Sequence, residues 1–110
     1  MEKAEIIEGM LDLVDSPDKW CKHVLSRTDE NGVEQFCLLG AMMRVRTGEY
    51  YRWTEDMAPV ITLFNEIAGE LGYEDEYWDS PAVQFNNAPE TEYEDLRLFL
   101  KEALVRATQD

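Results

Sequence analysis

Phe36-Cys37-Leu38-Leu39-Gly40-Ala41-Met42-Met43-Arg44-Val45 is a ten-residue run with almost nothing to offer water, and its reading decides the fold. It reads as a buried central helix against which the rest of a small chain packs, extending from Val33 to Thr47 with Gly48 as its C-terminal stop. Gly40 costs helix propensity, and together with Ala41 it lets another backbone come close. The run is far shorter than the roughly 20 apolar residues that a membrane span needs.

On the N-terminal side, Ile6, Ile7, Met10, Leu11 and Val14 share one helical face, with Glu5, Glu8, Asp12 and Asp15 opposite. Ser16-Pro17-Asp18 ends that helix, because Pro disfavours helical geometry in the residue before it and suits the first turn of a new element. Trp20, Cys21, Val24 and Leu25 then predict a brief helix. Thr28-Asp29-Glu30-Asn31-Gly32 is turn chemistry, but no alternating strands flank its Asn-Gly pair.

On the C-terminal side, Pro59 opens a helix that covers Val60, Ile61, Leu63, Phe64, Ile67, Ala68 and Leu71, closed by Gly72. Glu74 to Ala88 has no clear periodicity and contains Pro81, so it reads as a long ordered loop. Thr91-x-x-Glu94 is a capping box before a last helix with the stripe Leu96, Phe99, Leu100, Ala103, Leu104 and Ala107. Leu98 and Val105, seven apart, lie off that stripe. The expected architecture is all-α: one domain over residues 1–110, a compact bundle of four to five helices with a long ordered loop before the last.

The formal net charge is −14, and its placement says more than its size. From Trp53 through Leu96 there are twelve acidic residues and no Lys or Arg, whereas the rest of the chain sets twelve acids against all ten bases. Such a surface repels nucleic acid and attracts basic surfaces. Met1-Glu2-Lys3-Ala4-Glu5 lacks the basic region of a secretory leader, which leads to the expectation of a cytoplasmic protein with reduced thiols.

Trp20, Cys37-Leu38-Leu39-Gly40-Ala41 as Cys-x-x-Gly-Ala, and Phe85-Asn86-Asn87 before a final amphipathic helix together resemble an uncharacterised bacterial and phage domain family of unknown function. The family pattern ends its last motif in aromatic-Asn-Asp. Here the final position is Asn87, which removes any role that needs a carboxylate there. The resemblance implies a small, mainly helical bacterial or viral domain and brings no activity with it.

Cys37, at the start of a helix, is the first candidate for chemistry, with His23 as the sole imidazole to serve it. The plainer reading is a buried structural thiol, since free Cys is among the most buried residue types and Cys37 lies in an apolar run. Cys21, His23 and Cys37 lack the paired spacings of a zinc site, and Asp29-Glu30-Asn31-Gly32 places its Gly too early for a calcium loop. No phosphate-binding loop or nucleophile elbow is present. No catalytic residue, cofactor or metal is therefore expected.

The acidic segment embeds Trp53, Tyr73, Tyr77, Trp78, Phe85 and Tyr93, and aromatics ringed by charge are common interface anchors. The expected partner-binding set is Glu74, Asp75, Glu76, Tyr77, Trp78 and Asp79, with Glu55 and Asp56. The functional expectation is a noncatalytic acidic protein-binding module for a basic protein surface such as that of a nucleic-acid-binding protein. Its concrete form is a phage-type inhibitor that mimics nucleic-acid charge and blocks a basic cleft of a host defence protein. The alternatives are a small thiol-dependent enzyme using Cys37, and a structural module that self-associates through Leu98 and Val105 of its last helix.

Overall fold

Ile6, Ile7 and Met10 recur at helical spacing and form the buried face of α1 (Lys3–Leu13) in the computed structural model, which describes residues 1–76 and 79–109. The Glu5 carboxylate accepts the backbone N–H of Glu2 at 3.1 Å and holds the start of the helix. After a single 3-10 turn at Pro17–Lys19 the chain runs extended, and Trp20 pairs with Phe36 in an isolated parallel bridge.

The brief helix expected around Trp20 to Leu25 does not form. The backbone groups that it would have used are taken by distant residues. Cys21 N–H donates to the Phe36 carbonyl at 3.1 Å, and His23 N–H donates to Asn87 Oδ1 at 2.8 Å. The Leu25 carbonyl accepts the Cys37 N–H at 3.2 Å. His23 sits at φ +72°, and Val24 and Leu25 face solvent.

The Asn-Gly turn does join two strands, β1 (Ser26–Thr28) and β2 (Glu34–Phe36), antiparallel in the register Arg27 opposite Gln35. The Asp29 carboxylate accepts the N–H groups of Asn31 at 2.8 Å and Val33 at 2.9 Å, and Gly32 supplies φ +82°. Strands of three residues are too short to display the alternation that identifies a strand in sequence. The bundle is thus not purely helical.

The central helix is correspondingly shorter than expected. Residues 34–36 belong to β2, and α2 spans Leu38–Thr47, with Cys37 as its N-cap. Gly48 closes it at φ +86°, donating to the Arg44 carbonyl at 2.9 Å. Gly40 shows why the middle of this helix lacks a side chain: a Cβ there would lie 1.9 Å from the Leu25 carbonyl oxygen.

A second 3-10 turn, Glu55–Met57, leads into α3 (Ala58–Glu70), which has Pro59 in its first turn and Val60, Phe64, Ile67 and Ala68 on its buried face. The expected long loop is interrupted by α4 (Pro81–Asn87). Ser80 Oγ accepts the Val83 N–H at 3.4 Å, and Asn65 Oδ1 accepts the Ala82 N–H at 3.0 Å, so both side chains cover free donors of the first turn. Two turns of helix are too few to reveal a 3.6-residue period. The last helix, α5 (Tyr93–Ala107), starts one residue later than the Thr91 box implies. Asp95 accepts the Glu92 N–H at 2.9 Å instead, and Thr91 is buried.

α1 packs on α2, α3 and α5, while α3 packs on α4. The buried side chains form one continuous cluster in which Ile6, Ile7, Met10, Met42, Met57, Val60 and Phe64 are wholly removed from solvent. Each such side chain contributes about 1.5–3 kcal/mol by leaving water.

Candidate partner-binding groove

The motif residues singled out in the sequence converge on one side chain, Asn86, which is 2% exposed. Its Oδ1 accepts the indole N–H of Trp20 at 2.8 Å and the backbone N–H of Leu38 at 3.0 Å. Its Nδ2 donates to the Cys21 carbonyl at 3.3 Å and to Asn87 Oδ1 at 3.0 Å. A carboxamide offers two donors and an acceptor oxygen, and all are used. Asn87 Oδ1 also holds the His23 N–H, so the work visible at this position is acceptance, which an amide or a carboxylate oxygen performs alike. Lys22 Nζ completes the clasp by donating to the carbonyls of Ala88 at 2.6 Å and Thr91 at 2.7 Å, 5.2 Å from the Trp20 ring.

Beside this clasp lies a small cavity of about 120 Å³, lined in part by His23, Cys37, Asn86 and Asn87. It brings His23 and Cys37 to one place. Cys37 Sγ accepts the Gly40 N–H at 3.3 Å as the cap of α2. Burial nevertheless pushes its thiol pKa up, outweighing the hydrogen bonds that favour the thiolate. Burial also pushes the Cys21 thiol up, to about 11. Both cysteines are free thiols. Among the described residues, no group of three or more His, Cys, Asp or Glu side chains is placed to hold a metal ion.

The acidic set named from sequence is divided. Glu55 is exposed, but Asp56 bonds to Arg46, to the Thr54 hydroxyl and, at 2.9 Å, to the N-terminal amine. These hydrogen bonds hold its carboxyl well below the usual aspartate range. Glu74, Asp75, Glu76 and Asp79 are exposed between α3 and α4, where Glu76 and Asp79 exchange backbone hydrogen bonds of 3.1 and 3.2 Å. Tyr77 and Trp78 lie outside the described residues. The two groups flank opposite ends of the 13-residue α3, which is about 20 Å long.

Of the other aromatics, Phe85 is buried and stacked on Phe99 with ring centroids 4.4 Å apart, and Tyr73 meets Phe85 edge-on at 5.9 Å. Tyr93 donates its hydroxyl to the Val14 carbonyl at 2.7 Å, tying α5 to the end of α1. Trp53 is exposed.

A concavity of about 520 Å³ lies between α3 and α5. Ile67, Phe85 and Phe99 form its apolar floor, with Leu71 on the α3 side and Leu98 on the α5 side. Glu70, Glu90, Asp95 and Glu102 stand around it, and Tyr73 donates its hydroxyl to Glu90 at 3.1 Å. Arg106 spans one end. Its guanidinium forks onto Glu70 at 2.6 and 2.7 Å and reaches Glu102 at 3.1 Å and Glu66 at 3.4 Å. The bonds and charge of Arg106 hold the Glu70 carboxyl below its usual range.

Sequence reasoning named Leu98 as an off-stripe residue but missed this groove. In sequence Leu71 belongs to the apolar pattern of the helix that Pro59 opens, and nothing sets Glu70, Glu102 and Arg106 apart from the other charged residues. The only signal was an apolar pair off the main stripe, and it pointed to one wall.

These features define a small acidic domain of helices and one hairpin, clasped by a buried asparagine and carrying an acid-rimmed apolar groove. The chain belongs to a family of unknown function, DUF6197, which matches residues 1–106. Membership of a family without assigned function agrees with the resemblance read from the motifs. No curated protein and no solved structure matches the chain. Among the described residues no helix is long and apolar enough to cross a membrane.

Proposed function

We propose that this chain is a noncatalytic binding module that receives a basic protein surface on its acidic side. The observation that carries this reading is the groove between α3 and α5, where four carboxylates and one already-engaged guanidinium surround the exposed leucines Leu71 and Leu98. Aromatic and aliphatic floors supply contact area, and surrounding charge speeds encounter and rejects like-charged partners. Glu74, Asp75, Glu76 and Asp79 extend the negative field beyond the groove. The narrower form of the reading is an inhibitor that occupies a nucleic-acid-binding cleft, with carboxylates in place of phosphates. The base-free stretch from Trp53 to Leu96 supports it.

The burial of Cys37 and its engagement as a helix cap weigh against a thiol-dependent enzyme. A net charge of −14 weighs against self-association through Leu98 and Val105.

The test is capture from a host lysate at low salt by the immobilised chain. Basic proteins should be retained and released as salt rises, and reversal of Glu74, Asp75, Glu76, Asp79 and Glu90 to Lys should abolish retention. Undiminished retention by the reversed variant, or no retention by the parent, would sink the reading. The inhibitor form further requires that added DNA or RNA compete for the captured protein.

A further inference from the structure

Leu71 and Leu98 are each 57% exposed, and they face one another across a groove whose floor is otherwise well packed. An isolated exposed leucine is ordinary, but two lining one concavity concentrate exposed apolar area in one place. The groove is walled by two helices, and its volume lies in the range that takes a few side chains from a ligand. That is the geometry in which an amphipathic helix lays its apolar face.

Charge selects among occupants. Asp95 and Glu102 lie on the same helix two turns apart, about 10 Å, with Leu98 between them, and Glu90 stands beyond the start of that helix. At the far end the single charge of Arg106 is shared by Glu66, Glu70 and Glu102, so that end keeps excess negative charge, and Glu90 and Asp95 add theirs at the other. A second copy of this chain carries −14 and would bring like charge to that rim.

We propose that the groove receives one cationic amphipathic helix of a partner protein. Its apolar side chains, spaced three to four residues apart, lie on Leu71 and Leu98. Its Lys and Arg side chains flank them and meet Glu90, Asp95 and Glu102. This rests on the basic-partner reading above and adds the place and the conformation of the contact.

The experiment titrates the full chain calorimetrically, at about 50 mM salt to limit screening, with three synthetic peptides. One is a Leu/Lys helix of about 15 residues with leucines at helical spacing, one is a scramble of identical composition, and one is oligolysine. The expected result is binding of the patterned helix about ten-fold or more tighter than the scramble. Leu98→Glu should remove that advantage, as should Leu71→Glu on the other wall. The four-fold reversal of Glu74, Asp75, Glu76 and Asp79 should change the ratio of patterned to scrambled affinity less than about two-fold.

Equal affinity for pattern and scramble would overturn the groove proposal and leave the basic-partner reading standing, as would retention of the advantage by both folded Leu→Glu variants. Failure of all three cationic peptides to bind would sink both.

Discussion

Asn86 is a short side chain that joins three segments far apart in sequence, and its removal tests how much of the fold depends on it. In Asn86→Ala the indole N–H of Trp20, the Leu38 N–H and the Cys21 carbonyl lose their partner. Each polar group left buried without a bond costs about 1–3 kcal/mol, so a loss of about 3 kcal/mol or more is expected from urea unfolding. Gly40→Ala should cost a similar amount, because the clash is with the backbone of Leu25, whose carbonyl is held by the Cys37 N–H at the start of the same helix. Gly69→Ala is the control. Nothing lies within 4 Å of the added methyl on the exposed side of α3, and a gain of up to about 1 kcal/mol is expected from helix propensity.

The two thiols make a residue-scale prediction of their own. Burial raises both above the ordinary cysteine value of 9.0, so the folded state holds its thiol protons more tightly than the unfolded state. Their contribution to stability is complete below about pH 8 and is lost as pH rises toward 11, the value for Cys21. Alkylation near neutral pH should therefore be slow in the folded protein and fast after unfolding. Rapid alkylation of folded Cys37 would revive the thiol-dependent alternative.

Between elements, the polar ties are as informative as the apolar contacts. Asp56 gathers the chain start before α1, Arg46 near the end of α2, and Thr54 ahead of the turn into α3. Its hydrogen bonds to Thr54, Arg46 and the N-terminal amine depress its folded pKa below 3.8. The associated stability is present above that value and disappears as pH falls through the lower folded value. The stability gap between the parent and Asp56→Asn should therefore be widest above about pH 5 and narrow on acidification, as thermal melts at several pH values would show. A gap independent of pH would mean that the carboxylate's charge is irrelevant to these ties. Arg106 links α5 to α3 in the same manner at an exposed site, where ion pairs contribute little, so Arg106→Ala should alter groove charge more than stability.

At the scale of the molecule, the excess of carboxylates acts over its whole width. The principal extents are 40, 30 and 25 Å, comparable with the screening length of about 30 Å in 10 mM salt and far larger than the roughly 8 Å at 150 mM. Self-repulsion should consequently be felt across the protein in dilute buffer and only locally at physiological salt. The thermal midpoint is expected to rise by a few degrees, on the order of 1 kcal/mol, between those conditions. A midpoint that falls with salt would show that the ion pairs outweigh the repulsion.

The sequence by itself determined the helices whose apolar faces recur over three or more turns: α1, α3 and α5, together with the body of α2 and its Gly48 stop. It also determined the concentration of acid after Trp53 and the need for a close approach at Gly40. Periodic burial and a missing Cβ are local properties, written in adjacent residues. Only the tertiary structure decided the rest. Trp20 to Leu25 is not helical because its backbone groups are bonded to Phe36, Cys37, Asn86 and Asn87, and the hairpin and α4 are too short to show a period. The groove exists because α3 and α5 lie side by side. No window of sequence contains both Leu71 and Leu98, so the groove they line, and the carboxylates that rim it, become a surface only when the chain has packed.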